Sequence, residues 1–67
     1  MKIDKKLLLW LADYDRSTIE FYQGIIEDNE KLLASNASEK KKEAAKILIK
    51  VSKKEIKECQ KRIRNLL

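Results

Sequence analysis

The side chains that could do chemistry fall into three sets, and their spacing decides what each could do. The first is a row of cations, Lys42, Lys46, Lys50, Lys53, Lys57, Lys61 and Arg64. On a helix they lie within about 100° of one face over roughly 33 Å, a path that a phosphate backbone could follow. Binding of that kind would be salt-sensitive and largely blind to base sequence, because lysines on a regular helix neutralise phosphates without reading base edges. Stacking aromatics are missing from this half of the chain. The plainer reading is a solvated Lys flank beside a helical seam, facing acids of the other helix.

The second set, Asp13, Tyr14, Asp15, Arg16 and Ser17, imitates the opening ligands of a calcium loop. The loop's glycine would fall at Thr18 and its bidentate acid at Gly24, so both the turn and the closing carboxylate are missing. Asp13, Glu20 and Glu27 recur every seven residues instead, as solvated acids on the polar side of a helix. The third set is a candidate partner-binding surface made of Leu9, Trp10, Ser17 and Gly24. Leu9 and Trp10 point away from the main apolar stripe, and Trp10 opens a seven-residue row with Ser17, Gly24 and Lys31. A large anchor followed by two small residues offers a groove for another helix, and Trp is enriched among interface anchors. Gly24 costs about 1 kcal/mol relative to Ala inside a helix, which asks for a packing reason. A boundary Trp half covered by its own fold is the competing reading.

The chain has no His and one Cys, Cys59. That removes the usual zinc sets, the Ser/His/Asp and Cys/His catalytic pairs and an internal disulfide framework. No enzymatic activity, metal or cofactor is expected, and Cys59 reads as a small buried hydrophobe.

These residues must be positioned by very little structure. The 67 residues carry 16 Lys and Arg against 11 Asp and Glu, a net charge of +5, and four aromatics, Trp10, Tyr14, Phe21 and Tyr22. One domain over residues 1–67 is the expectation, with a thin hydrophobic seam and marginal stability on its own. The longest apolar run, Leu7 to Ala12, is six residues, against about 20 for a membrane span. Lys2, Lys5 and Lys6 imitate the start of a signal peptide, but Asp13 ends the apolar stretch too early. A cytoplasmic location is expected, and one unpaired Cys fits a reducing compartment.

Lack of Pro, a single Gly and abundant Lys, Leu, Glu and Ala predict helix throughout. The one cluster of helix-breaking residues is Ser35, Asn36, Ala37 and Ser38, so helices are expected at about 4–34 and 39–66 with a turn at 35–38. Asp4 can cap the first helix, with Ile3 and Leu8 as a hydrophobic staple; Ser38 can cap the second, or Asn36 with Glu39 at capping-box spacing.

The first helix gathers an apolar arc of about 160°, from Leu7 and Leu8 through Tyr14, Phe21 and Ile25 to Leu33, wider than one neighbour needs. Asp15 and Asn29 lie inside that arc and should have partners. The second helix has a narrow stripe, Ala45, Ile49, Ser52, Ile56, Cys59, Ile63 and Leu66, with the 4-3 spacing of a coiled-coil seam. A short turn makes the helices antiparallel, bringing Leu7 to Leu11 beside Ile63, Leu66 and Leu67. Residues 1–34 hold five cations and seven acids, residues 35–67 eleven cations and four acids, an asymmetry that favours this pairing. The fold class is thus all-α, an antiparallel two-helix hairpin. Ala44, Ile47 and Val51 form a second apolar strip behind the seam, the candidate oligomer interface through which hairpins would dimerise into a four-helix bundle.

The opening IDKKLLLWLADYD and the Lys/Glu-rich second helix resemble the N-terminal helical hairpin of small phage transcription regulators from Gram-positive hosts, the ArpU and RinA kind. The resemblance spans the chain, while the DNA-reading domain that follows the hairpin in those proteins has no counterpart in these residues. It implies a phage-encoded accessory protein acting through protein contacts. Two paired hairpins would also resemble the Rop-type RNA-binding protein in size and architecture, with no recognition residues matched. The expected function is a non-enzymatic interaction or regulatory protein that self-associates and docks on a larger protein through helix faces. A nucleic-acid-binding hairpin using the Lys row is the alternative.

Overall fold

Asp4 caps the first helix: its Oδ1 accepts a hydrogen bond from the Lys6 amide at 3.0 Å, satisfying one of the N–H groups that a helix start leaves open. From there α1 runs Lys5–Leu33 in the computed structural model, which describes residues 4–66. The expected staple partner Ile3, like Leu67 at the other end, lies outside the described residues.

α1 stops where Ser35 competes for its last carbonyls. The Ser35 hydroxyl donates to the Leu32 carbonyl at 2.6 Å and accepts from the Ala37 amide at 3.3 Å, the local side-chain bonding that favours turns over helix. No described residue has a positive φ, so the reversal is made without glycine. Ser38, rather than Asn36, then caps α2. Its hydroxyl accepts from the Lys41 amide at 3.4 Å and its carbonyl from the Lys42 amide at 3.0 Å, and α2 continues over Glu39–Leu66.

The two helices pack against each other along their length as an antiparallel hairpin with extents of 53 × 14 × 12 Å, and the described residues contain no strand. What lies fully buried between them is small: Ala12, Ala45 and Cys59, with the polar Asp15 and Ser52. Ala45, Ser52 and Cys59 stand seven residues apart, one per two turns, so small side chains line the contact row of α2. Ile19, Tyr22 and Ile26 of α1 and Ile49, Ile56 and Ile63 of α2 flank that row half-buried. Asn29 is satisfied within its own helix, its Nδ2 donating to the Ile25 carbonyl at 2.7 Å. Neither helix is long and apolar enough to cross a membrane.

Candidate functional site

α1 carries two apolar stripes. The inner one, Leu8, Ala12, Asp15, Ile19, Tyr22 and Ile26, faces α2; the outer one, Leu7, Leu11, Tyr14, Thr18, Phe21 and Ile25, is the same 4-3 pattern displaced by one residue. One residue is a rotation of about 100°. α2 repeats the device. Displacing its seam by one residue gives Ala44, Leu48 and Val51 near the turn, followed by Glu55, Glu58, Arg62 and Asn65 toward the open end.

In an antiparallel pair the same displacement turns both outer stripes to the same side of the hairpin. The packing bears this out at the open end, where one cleft of about 290 Å³ is lined by Leu11 and Tyr14 from α1 and by Arg62 and Asn65 from α2, with Asp15 and Leu66 beneath. The largest apolar side chains stand open on this face. Trp10 and Tyr14 are each 60% exposed and Phe21 64%; on α2, Ile47 is 63% exposed, with Leu48 and Val51 beside it. The Trp10 and Tyr14 rings stack with centroids 5.8 Å apart and planes at 21°, and Phe21 meets Tyr22 edge-on at 5.4 Å. A groove beside them is lined by Tyr14, Ser17, Thr18, Phe21 and Tyr22.

The residues expected to bind a partner are therefore distributed as follows. Trp10 belongs to the outer face through its stack on Tyr14, and Ser17 lines the groove. Gly24 lies further round the helix, and a methyl group added there would meet nothing within 4 Å, so nothing in the hairpin requires a glycine. Leu9 is exposed but turned about 100° from Trp10, toward the charged side. Ala44, Ile47 and Val51 are all exposed, and Leu48, missed in the sequence because it borders the seam, joins them into one strip.

At the open end a polar cluster locks the helices together. Arg62 donates through Nε to Asp15 Oδ2 at 3.2 Å and through Nη2 to Oδ1 at 3.0 Å, a bidentate pair. The same Nη2 reaches Cys59 Sγ at 3.4 Å. Asp15 is 4% exposed, and its hydrogen bonds hold Arg62 still more firmly in the charged form. Burial, followed by the Asp15 carboxylate, raises the Cys59 thiol above its ordinary value of 9.0, which keeps it protonated and a poor nucleophile at neutral pH. Asp15 was expected to need a partner; that the partner is Arg62, 47 residues away, has no local signal in the sequence. The acids of the calcium-like run diverge: Asp15 turns inward, while Asp13 pairs with Arg16 at 3.1 Å on the surface.

The cation row occupies the other flank of α2, away from the apolar strip. Lys42 is half-buried, and Lys46, Lys50, Lys53, Lys57, Lys61 and Arg64 are exposed. Among the described residues the ion pairs are Arg16–Asp13 and Arg62–Asp15, so no ion pair joins the acids of α1 to the row. No protein-family model, curated protein or solved structure matches this chain.

Proposed function

We propose that the chain is a small, non-enzymatic, cytoplasmic interaction protein of regulatory type, which self-associates as a four-helix bundle and docks on a larger protein through helix faces. The observation that supports this reading is the outer apolar face: Leu7, Trp10, Tyr14 and Phe21 of α1 and Ile47, Leu48 and Val51 of α2 stand open together. A helix at the corner of a four-helix bundle touches two neighbours and needs apolar positions toward both, and the paired stripes on each helix have that form. Those seven side chains leave on the order of 800 Å² uncovered, about one partner's share of a standard-size interface.

Sedimentation of the wild type and of Phe21→Asp tests the reading. The wild type should sediment as a dimer or higher oligomer and the variant as a helical monomer. A wild type that is monomeric, helical and cooperatively melting at high micromolar concentration would overturn self-association. Capture tests the docking half: Trp10→Ala should lose the larger partner, whereas replacing Lys46, Lys50, Lys53 and Lys57 by Gln should leave capture largely intact.

A second reading, a nucleic-acid-binding hairpin, is favoured by one observation, that among the described residues no member of the cation row is engaged in an ion pair. It requires the opposite result: binding of RNA or DNA that falls steeply with salt, loss in the four-Lys variant, elimination of capture by nuclease, and indifference to Trp10→Ala.

A further inference from the structure

Of the two stripes that α1 offers to α2, the one that is buried is the less apolar. The outer stripe, Leu7, Leu11, Tyr14, Thr18, Phe21 and Ile25, holds two aromatic rings and no charge, whereas the inner one gives two of its positions to Ala12 and Asp15. Burial of apolar area alone therefore favours the opposite rotation of α1. Phe21 and Tyr22 show the choice side by side: Tyr22 is half-buried on the inner stripe, while Phe21 is 64% exposed on the outer one. Apolar contacts carry no direction, so the selection calls for a contact that does. Among the described residues, the side-chain hydrogen bonds that join the two helices run from Arg62 to Asp15. The others link residues no more than four positions apart.

We infer that the Asp15–Arg62 pair selects the rotation of α1 against α2 and so holds the large apolar side chains outward. The pair has a hand. Asp15 lies on the inner stripe of α1 and is 4% exposed; Arg62 lies one residue off the seam of α2, on the outer side, with its side chain 58% exposed. From that edge it reaches inward, and two of its nitrogens meet both carboxylate oxygens at 3.2 and 3.0 Å, a bidentate geometry that tolerates little turning. Seating the outer stripe on α2 instead turns α1 by about 100°. At a side-chain radius of about 5 Å, that swing carries the Asp15 carboxylate roughly 8 Å from its place, away from Arg62 and toward the flank of the cation row. A polar residue in a coiled-coil seam fixes register in a comparable way. Here the buried charge fixes rotation, and Arg62 keeps it paired. This selection operates within one chain and holds whether or not the outer face meets a second copy.

Removing both partners at once, Asp15→Ala with Arg62→Met, tests the selection without leaving an unpaired charge behind. The rotation is read by nuclear Overhauser contacts from the Tyr22 and Phe21 rings to the methyl groups of Ile49, Ile56 and Ile63, the half-buried isoleucines of α2. Isotope-labelled chain is diluted in an excess of unlabelled chain, so that only contacts within one hairpin are counted. The wild type should show these contacts from Tyr22 and none from Phe21. The double variant should remain helical by circular dichroism and lose that exclusivity, with Phe21 contacts to the same methyl groups, either in a second set of resonances or in place of those from Tyr22. A folded double variant that keeps the wild-type contacts in a single set of resonances overturns the selection and assigns the rotation to the small residues Ala12, Ala45, Ser52 and Cys59. Loss of helix in the double variant overturns it as well, because the pair then holds the fold together rather than choosing between two packings.

Discussion

The contact between the helices and the outer face differ in the size of what they hold. Between the helices the fully buried residues are Ala12, Asp15, Ala45, Ser52 and Cys59, while Trp10, Tyr14 and Phe21, among the largest side chains in the chain, stand open outside. A self-sufficient small domain would invert this, because aromatic side chains contribute the greatest burial per residue. Small residues at the contact instead let the helices approach closely and leave the large ones to meet something else. The hairpin is built as half of a core: its inner surface sets the spacing and rotation of the two helices, and its outer surface carries the apolar area that remains to be covered.

The comparison can be broken most severely from the inside. Ile56→Asp places an unpaired charge against α1, a cost that exceeds what so small a hairpin can spare; loss of the helical circular-dichroism signal at 25 °C is expected, whereas Lys54→Ala should alter stability by less than about 0.5 kcal/mol. Equal thermal midpoints for these variants would mean that the inner face has been wrongly assigned. Ala45→Leu tests the spacing itself. Overpacking the contact row should cost about 1–3 kcal/mol in chemical denaturation, and a neutral result would show that the close approach at Ala45 is not required.

Gly24→Ala sharpens the comparison on the outer side. Nothing within 4 Å would meet the added methyl, so the hairpin alone should gain about 1 kcal/mol of helix stability. If the variant melts higher but loses oligomer or partner, a second body packs closely on the row of Trp10, Ser17 and Gly24; a gain with association intact releases Gly24 from the interface. The smallest effect concerns pH. The folded state holds the Cys59 thiol above 9.0, so as pH rises past that value the unfolded chain gives up a proton that the folded chain retains. Stability is therefore full below about pH 9 and declines as pH rises through the folded value, and Cys59→Ser should flatten that decline in alkaline melts.

Much of the hairpin was legible because its signals are local. Ser35, Asn36 and Ser38 can each compete with helix for backbone hydrogen bonds, and the break between Leu33 and Glu39 falls there. Asp4 was readable as a cap for the same reason, and the heptad row Ala45, Ser52 and Cys59 marked the buried side of α2 by its spacing. The candidate surface was legible only in pieces. The breadth of the α1 arc signalled more apolar surface than one neighbour needs, and Ile47 with Val51 signalled a second strip. Which members of the arc α2 would cover was not written in the spacing, since Tyr14 and Phe21 fit the arc as well as Asp15 and Tyr22 do.

Taken by itself, the sequence determines two helices, their caps, the turn between them and the angular position of every side chain on its own helix, because each depends on neighbours within a few residues. The tertiary structure decides the rotation of one helix against the other. Small residues at Ala12, Ala45, Ser52 and Cys59 admit close contact along one line, and that line places Asp15 within hydrogen-bonding reach of Arg62 across 47 residues. The same rotation makes two modest stripes, one on each helix, into a single face with a cleft at the open end. Such a face is a sum of two orientations, and a periodicity read along one chain segment carries only one of them.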